Sequence, residues 1–550
     1  MKGNDASKRY TIACILFSAA LSTGCGVEPA SHESFENDDD GLGGHLYELT
    51  SKYWENEAPT CGSTRFSGLV KQTIRLTRTG DLQAAIDAAT PGTEIILEAN
   101  ATYWGNFVLR NKNTTSTGYI TIRASSPINS GIRVTPTDRA SLARVYAKNT
   151  LPVFRSEPGA HHYRFVNLEI ASPSYATNTL FEIGTGLETS TTESPHHFIL
   201  DRLYVKGDST LGGKRGVALN GRYITVQNSW ISNFKSLTQD SQALSGWNGE
   251  GNFVIANNYL EAAGENLLIG GADPHIPSLV PTNIRIKFNH FAKPLSWRPS
   301  DPTYAGKLWV VKNLLELKNA RDVIIEGNLI ENVWPQSQKG FAILFTPRNQ
   351  DGTAPWSQVA DVIFRRNHVR HVAAAINILG HDDIETSAGT SDIRIEHNLF
   401  EDVGGVWGDG AMTTGRLFQL ISGTSEPGPS NVVIDHNSAS NSGGHYLLGV
   451  GGSTPKPGLV FTNQVVNNEK GVFGDNMTTP DALKNNFPDA VFTANALVGG
   501  AASLYSAYSG NYFPTMDSMT SLTATVTGKS TDGTTLGVNY DFLDLASQCW

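Results

Sequence analysis

The stretch VIIEGNLI, residues 323–330, recurs along the chain and decides the fold. In each copy apolar residues alternate with other residues, a polar pair that often ends in Asn follows, and a further apolar step comes after it. The clearest other copies are FVIANNYL (253–260), IRIKFNHF (284–291), VIFRRNHV (362–369), IRIEHNLF (393–400) and VVIDHNSA (432–439). A period of two indicates strands, and a spacing of roughly 26 to 39 residues between copies is typical of a solenoid.

This repeated theme resembles the coils of pectate-lyase-like proteins, in which each coil contributes three short strands. The segment RTGDLQAAIDAATPGTEIILEANATYWGNFVL (78–109) is similar to the N-terminal beginning of that fold, where LQAAIDAA forms a helix over the open end of the solenoid. The resemblance covers about residues 75–500. We therefore predict an all-β protein, a single-stranded right-handed parallel β-helix with an N-terminal capping helix. The domain would span 61–550, with a C-terminal cap after about residue 500.

The resemblance assigns a structural role to one set of polar residues. In this fold an asparagine at the bend turns inwards and hydrogen-bonds the asparagines of the coils above and below, which satisfies buried backbone groups. The residues at that repeat position are Asn258, Asn289, Asn328, Asn367, Asn398 and Asn437. We expect a structural ladder rather than a catalytic role.

The N-terminus has the pattern of an export signal. A basic segment precedes the apolar stretch TIACILFSAAL, which is too short to span a bilayer. LSTGC (21–25) is similar to the lipobox of bacterial lipoproteins, in which the cysteine becomes the lipidated first residue. We predict a lipoprotein-type signal peptide over 1–24, lipidation of Cys25 and a disordered tether over 25–60. The alternative is a plain signal peptide.

Export sets the expected location and the chemistry of the remaining cysteines. The protein would be a bacterial cell-surface or outer-membrane lipoprotein, or otherwise secreted or periplasmic, with membrane contact only through the lipid anchor. Cys61 and Cys549 remain near the two ends of the folded part, and an exported chain favours a disulfide between them. Two free thiols are the alternative.

The charge of the 550-residue chain limits its partners. A net charge of −10 argues against nucleic acid. An acidic polymer would need a local basic cluster or a bridging cation. We expect a monomer.

A second short strand lies about ten residues before the ladder position, and NLLELKNA (313–320) is its most informative copy. Side chains two apart share a face, so Leu315 and Leu317 can fill the core while Glu316 and Lys318 project outwards. Outward residues of successive parallel strands form one surface, which is the polysaccharide groove of pectate-lyase-like enzymes by analogy of fold. The polar residues of this predicted surface are Glu265, Asp273, His275, Glu316, Lys318, Arg348, Asn377, His381, Asp382, Asp383, Gln419 and His445. The alternative is that the face is polar only because it is solvated.

The segment ELKNARDVIIEGN (316–328) is similar to a stretch of the alginate lyase and chondroitinase B family, where an acidic residue and a lysine lie just upstream of a ladder asparagine. The resemblance implies that Lys318 is the base and that Arg348 neutralises the uronate carboxylate. It adds Ca²⁺ as a candidate cofactor. With the other polar residues of the predicted surface, the assignments are catalytic Lys318, Arg348, Glu316 and His381; substrate-binding Glu265, Asp273, His275, Asn377, Gln419 and His445; and metal-binding Glu265, Glu316, Asp382 and Asp383.

The sequence thus predicts an exported enzyme that degrades a polysaccharide, with β-elimination of a uronic-acid-containing polymer as the first hypothesis. A glycoside hydrolase that uses a carboxylate pair, such as Glu265 with Glu316 or Asp382, is the second. A non-catalytic surface protein that binds carbohydrate or has a structural role is the third.

Overall fold

Residues 68–127, 131–411, 413–423, 426–442, 446–452, 454–467, 470–515 and 529–549 are described by a computed structural model. They all belong to the unit Glu57–Trp550. The predicted signal peptide and tether, together with Cys25, Cys61 and His445, lie outside the described residues.

Forty strands of the described residues, numbered β1 to β40 along the chain, form three long sheets that the chain visits in turn. Sheet A contains β1 (Gln72–Leu76), β2 (Thr93–Leu97), β5 (Ile120–Ala124), β8 (His161–Val166), β11 (His196–Asp201), β14 (Arg222–Gln227), β17 (Gly251–Ala256), β20 (Thr282–Lys287), β23 (Ala320–Glu326), β26 (Val359–Arg365), β29 (Thr390–Glu396), β32 (Ser430–Asp435), β35 (Val460–Thr462) and β39 (Val491–Thr493).

Sheet B contains β3 (Thr102–Trp104), β6 (Ala143–Tyr146), β9 (Leu168–Ala171), β12 (Tyr204–Lys206), β15 (Trp230–Phe234), β18 (Tyr259–Ala262), β21 (His290–Ala292), β24 (Leu329–Val333), β27 (His368–Val372), β30 (Leu399–Val403), β33 (Ser438–Asn441), β36 (Val465–Asn467) and β40 (Ala496–Val498). Sheet C contains β4 (Phe107–Leu109), β7 (Phe154–Ser156), β10 (Thr179–Ile183), β13 (Arg215–Leu219), β16 (Gln242–Gly246), β19 (Glu265–Ile269), β22 (Leu315–Leu317), β25 (Phe341–Phe345), β28 (Ala374–Leu379), β31 (Arg416–Ile421), β34 (Tyr446–Gly451), β37 (Gly471–Gly474) and β38 (Met477–Thr478).

Each strand pairs with the equivalent strands of the preceding and following coils. In the described residues these pairings are parallel, apart from the antiparallel pair β37–β38 at one end of sheet C. The apolar residues that alternate along the strands point inwards and form one continuous core, in which Phe154, Phe165 and Phe181 pack ring against ring at centroid distances of 4.9 to 5.2 Å. The predicted all-β class and the parallel β-helix are confirmed.

The asparagine ladder is present as predicted. Asn289 is fully buried, and its Nδ2 donates to Oδ1 of Asn328 at 3.0 Å. Asn328 makes the same contact with Asn367 at 2.9 Å, and each asparagine also donates to a backbone carbonyl of sheet A. The ladder therefore stabilises the bend between sheets A and B.

Helix α1 (Leu82–Ala88) covers the free edge of sheet C. Asp81 caps its first turn by accepting from Ala84 N at 3.0 Å. Gln83 accepts from Val108 N at 2.8 Å and donates to Val108 O at 3.1 Å, so its side-chain amide occupies the open edge of β4. The described residues also contain helices α2 (Asp481–Asn486) and α3 (Tyr540–Ser547), with short 3₁₀ helices at Pro136–Ser141, Leu295–Trp297, Gly405–Gly408 and Ala502–Tyr505.

The C-terminal segment 529–549 runs back along the turn between sheets A and B. Thr531 N donates to Asn463 Oδ1 at 2.8 Å, and Val538 N donates to Ser438 Oγ at 3.0 Å. At the far end of this segment Arg133 donates to Cys549 O at 2.8 Å. Cys549 is disulfide-bonded, and its pairing with Cys61 stays a prediction. No helix of the described segments is both long and apolar enough to cross a membrane.

Candidate functional site

The outer face of sheet C carries Glu316, as the strand alternation predicts. Leu315 and Leu317 are fully buried in the core, and Leu315 pairs in register with Leu267 and Ile343 of the adjacent coils. Glu316 lies between them and points to the other face, in the same register column as Asn377 and Gln419. The polar residues of β22, β28 and β31 thus share one surface.

Glu316 and Lys318 form an ion pair on this surface. Lys318 Nζ lies 2.8 Å from Glu316 Oε1, and the lysine side chain is 23% exposed whereas the Glu316 side chain is fully buried. Asn313 Nδ2 donates to Glu316 Oε2 at 2.9 Å, and the Thr346 hydroxyl lies 3.5 Å from Oε1. Glu316 is therefore covered by its neighbours, and Lys318 is the member of the pair that reaches solvent.

Glu265 is a second buried acid on the coil before Glu316. Its Oε2 accepts from Gln242 Nε2 at 2.8 Å, and its Oε1 lies 3.4 Å from Lys312 Nζ. Burial, and next the negative charge of Glu316, raise the pKa of Glu265 to about 7. A carboxyl group that changes protonation near neutral pH is suited to proton transfer.

Lys312 links this acid to the protein surface. Its Nζ is 2.6 Å from Asp240 Oδ2 as well as close to Glu265. Burial lowers the pKa of Lys312, but the two acids outweigh it and the net shift is upwards. We call these residues the acid–lysine cluster: Asp240, Gln242, Glu265, Lys312, Asn313, Glu316 and Lys318.

Four members of the cluster were not among the predicted site residues. They are Asp240, Gln242, Lys312 and Asn313. One signal for Gln242 was available, since Arg215, Gln242 and Glu265 are successive polar residues that open strands of sheet C in one register column. The others lie in variable loops, which have no periodic pattern.

Two glycines, Gly270 and Gly271, keep the surface beside Lys318 free of side chains. A Cβ on Gly271, whose φ is +90°, would lie 3.3 Å from Lys318 Cδ, and one on Gly270 would lie 2.6 Å from Asn319 N. The stem of Lys318 therefore rests on a surface without side chains, where another molecule can approach closely.

Arg348 lies on the coil after Lys318, but its guanidinium group is turned to two aspartates. Arg348 N donates to Lys318 O at 2.9 Å, which makes the two residues neighbours through the backbone. Arg348 Nη1 lies 2.9 Å from Asp382 Oδ1 and 3.4 Å from Asp383 Oδ1. We call Arg348 and Asp382 the arginine–aspartate pair. Both oxygens of Asp382 also accept backbone N–H groups, from Asn349 at 2.7 Å and Ile384 at 3.1 Å, so Asp382 does not fit a Ca²⁺ site.

The other predicted residues are spread along the same side of the solenoid. Asp273 Oδ2 accepts from Thr353 N at 2.9 Å and from Asp351 N at 3.1 Å, which fixes the loop after β25. His275 is exposed, and His381 Nδ1 lies 2.9 Å from Pro427 O. Gln419 Nε2 donates to Asn377 Oδ1 at 2.8 Å. The structure brings Glu265, Glu316 and Lys318 into one cluster and leaves the remainder outside it.

The acid–lysine cluster fits the ligand chemistry of Ca²⁺. Among the described residues, the buried atoms Asn313 Oδ1 and Gln242 Oε1 have no hydrogen-bond partner, although the nitrogen of each amide donates to one of the two acids. Ca²⁺ prefers oxygen ligands. The cluster offers two carboxylates that repel each other and two amide oxygens without a partner. The predicted ligands Glu265 and Glu316 thus have two further oxygen donors beside them.

Comparison with known proteins gives structural likeness only. No family model matches the chain, and no curated protein matches it. An alginate lyase from Paenibacillus sp. str. FPU-7 is 13% identical and has a TM-score of 0.35, with 72% of this chain and 99% of that chain covered. A mannuronic acid specific polysaccharide family 6 lyase from human gut microbiota is 11% identical and has a TM-score of 0.45, with 81% and 91% covered.

A third structure carries a different activity. The catalytic unit of a thermostable alpha-1,3-glucanase from Streptomyces thermodiastaticus strain HF3-3 is 12% identical and has a TM-score of 0.44, with 82% of this chain and 71% of that chain covered. At these identities and TM-scores the likeness decides nothing about the activity of this chain.

Proposed function

We propose that this chain degrades an acidic polysaccharide by β-elimination at the acid–lysine cluster, with Lys318 as the base. The observation that carries the proposal is the 2.8 Å pair of Glu316 and Lys318, in which a fully buried acid holds a lysine that reaches solvent above the glycine surface. The similarity of residues 316–328 to the alginate lyase and chondroitinase B family supports the choice of a uronic-acid-containing substrate.

Lys318, Arg348 and Glu316 have different roles in the elimination reaction. Lys318 Nζ takes the proton alpha to the uronate carboxylate, and the same group can return it to the leaving oxygen. Arg348, whose guanidinium is fixed by Asp382, supplies positive charge where the carboxylate gains electron density. Glu316 orients Lys318.

Ca²⁺ is part of the proposal as a candidate cofactor. Glu265, Glu316, Asn313 and Gln242 would hold it, through the oxygen atoms described above. Its chemistry there would be to offset the negative charge of the two acids and of an acidic substrate.

The experiment is an assay of the purified chain against acidic and neutral polysaccharides, read for unsaturated ends by ultraviolet absorbance and for reducing ends. We expect unsaturated products from a uronate polymer. Lys318→Ala should lower the rate by about 1,000-fold or more. Lys339→Ala, which removes an exposed lysine, is the matched control and should keep the parental rate. An unchanged rate in Lys318→Ala would reject the role of this lysine.

A glycoside hydrolase is the second candidate, and one observation favours it. Glu265 and Glu316 interact electrostatically, and the pKa of Glu265 is raised to about 7, the kind of arrangement by which a carboxyl stays protonated and acts as an acid. Release of reducing ends without unsaturation, abolished by Glu265→Gln and kept by Lys318→Ala, would select this function over the lyase. Binding without any product would select the non-catalytic hypothesis.

Export, lipidation of Cys25 and a monomeric state belong to the same proposal. The N-terminal sequence supports export and lipidation, and the monomeric state is an expectation.

A further inference from the structure

A cluster of four histidines lies at the corner between sheets C and A, away from the acid–lysine cluster. The dipeptide His-His opens two successive strands of sheet A: His161–His162 in β8 and His196–His197 in β11. His196 pairs in register with His161, so the second pair stacks directly on the first. The next coil has Arg222 and Tyr223 at these positions, which limits the histidines to two coils.

The backbone explains how neighbouring side chains meet. Successive residues of an extended strand point to opposite faces, so His161 and His162 would normally diverge. His162 and His197 instead have φ of 57° and 58°, in the left-handed region, and this turns each towards its predecessor. His161 Nδ1 lies 2.7 Å from His162 Nδ1, and the pair His196–His197 has the same distance.

The four rings form two parallel stacks. His161 and His196 are 4.8 Å apart at an interplanar angle of 2°, and His162 and His197 are 4.4 Å apart at 6°. One ligand nitrogen from each of His161, His162 and His196 can be chosen so that all three lie within 4.8 Å of one another. Nitrogens bound to one tetrahedral ion with bonds of about 2.0–2.1 Å are about 3 to 3.5 Å apart, so small ring rotations would bring these three into range.

Two tyrosines border the histidine cluster. Tyr119 packs against His162 at 5.1 Å and Tyr223 stacks on His197 at 4.6 Å, which walls the cluster on two sides. Arg222, the cation next to His196 in the sheet, lies 3.8 Å from Glu250.

We propose that His161, His162 and His196 bind a divalent transition-metal ion of the class that prefers imidazole, namely Zn²⁺, Cu²⁺ or Ni²⁺. A ligand set of nitrogens without a carboxylate selects these ions over Ca²⁺ and Mg²⁺, which take oxygen ligands. The half-buried His161 and His196 leave a route for the ion. The bound ion joins β8 to β11 and stabilises the coils before the acid–lysine cluster. This inference does not depend on the proposed function.

Another histidine stack in the same protein shows what a purely structural arrangement looks like. His397 and His436 stack at 4.9 Å, but His436 Nδ1 lies 2.7 Å from Asp435 and its Nε2 lies 3.0 Å from the hydroxyl of Thr534. Both nitrogens of His436 are thus directed to oxygen atoms, whereas Nδ1 of His161 and Nδ1 of His196 each face Nδ1 of the next histidine along the chain.

The test is metal binding by the full chain, stripped with a chelator and titrated calorimetrically with Zn²⁺, with Cu²⁺ followed by electron paramagnetic resonance. We expect one tightly bound ion and nitrogen hyperfine coupling in the Cu²⁺ spectrum. His162→Asn keeps the left-handed corner, since Asn252 occupies the equivalent corner with φ 55°, and should weaken binding at least about 10-fold. The double variant His161→Ala/His196→Ala should weaken it at least about 100-fold.

The matched control is His371→Ala, which removes a histidine that stacks on Trp407 at 5.1 Å rather than on another histidine. It should bind as the parent does. Circular dichroism of each variant checks that the fold is kept. A parent chain that binds neither Zn²⁺ nor Cu²⁺, or a folded double variant that binds as tightly as the parent, would overturn the proposal.

Discussion

The acid–lysine cluster and the arginine–aspartate pair both lie along sheet C, and they differ in how their buried polar groups are paired. In the pair, Asp382 receives Arg348 and two backbone N–H groups. In the cluster, burial, and next the negative charge of Glu316, raise the pKa of Glu265 to about 7, and the side-chain amide oxygens of Gln242 and Asn313 have no hydrogen-bond partner among the described residues. Each such unsatisfied buried group costs on the order of 1–3 kcal/mol.

Because of this difference, the acid–lysine cluster should respond to a ligand more strongly than the arginine–aspartate pair does. The polar groups of the arginine–aspartate pair already have partners, so a new ligand would not stabilise the pair further. The pair instead fixes the position of the Arg348 guanidinium. In the acid–lysine cluster the acids repel each other and two amide oxygens lack partners, so binding of a cation or a polar substrate would stabilise it. The comparison predicts that substitutions in the cluster change function more than stability, and that loss of Asp382 from the pair changes stability more than function.

Among the substitutions that compare the two regions, Glu316→Gln should have the greatest effect, and that effect is on activity. The variant keeps the shape of the side chain but removes the charge that holds Lys318 at 2.8 Å. We expect the rate of unsaturated product formation to fall by about 100-fold, with the thermal unfolding temperature nearly unchanged. Glu426→Gln, at an exposed position, is the matched control. A rate that stays parental would place the chemistry elsewhere.

The next effect is on stability, from Asp382→Asn. It leaves the mostly buried Arg348 without its main partner, and we expect the free energy of unfolding to fall by about 3 kcal/mol in urea titrations. The rate should fall by about 10-fold at most, less than in Glu316→Gln. Asp383→Asn removes the other aspartate near Arg348, which is 66% exposed, and should cost less than about 1 kcal/mol. Equal losses from the two variants would contradict the pair as described.

The sequence predicted the parts of this molecule that repeat. VIIEGNLI and its copies fix the strands of sheet A, and the position of Asn328 fixes the ladder, because each coil imposes the same alternation and the same bend. The same alternation correctly put Glu316 on the outer face of β22.

What does not repeat could not be predicted. Asp240 and Lys312 are 72 residues apart and meet only because coils of unequal length stack in register. Arg348 was assigned to a substrate carboxylate, and its 2.9 Å contact with Asp382 depends on a loop 34 residues further along. The histidine pairs at 161 and 196 were visible as a repeat, but their meeting requires left-handed backbone that the sequence pattern alone does not reveal.

A smaller effect is the pH dependence of stability that Glu265 contributes. Its folded pKa, about 7, lies above the ordinary value of 4.5, so the folded state holds this proton more tightly than the unfolded state does. The contribution to stability is therefore full below about pH 4.5, declines as the pH rises towards about 7, and is lost above it. Urea titrations across this range should show the decline in the parent and a weaker one in Glu265→Gln. Parallel curves for the two proteins would show that Glu265 titrates normally.

The smallest effect is the change in unfolding temperature when Ca²⁺ is added. This measurement distinguishes the two regions most directly. Ca²⁺ would relieve the repulsion between Glu265 and Glu316 and satisfy the unpaired oxygens, so it should raise the unfolding temperature of the parent by about 2 to 4 °C. Glu316→Gln should abolish this shift and Asp382→Asn should keep it, although the latter starts from lower stability. Mg²⁺ is the control ion and should give a smaller shift, because it demands strict octahedral geometry and keeps its waters. If Asp382→Asn loses the shift in unfolding temperature and Glu316→Gln retains it, the cation binds at the arginine–aspartate pair. The proposed Ca²⁺ site in the acid–lysine cluster would then be wrong.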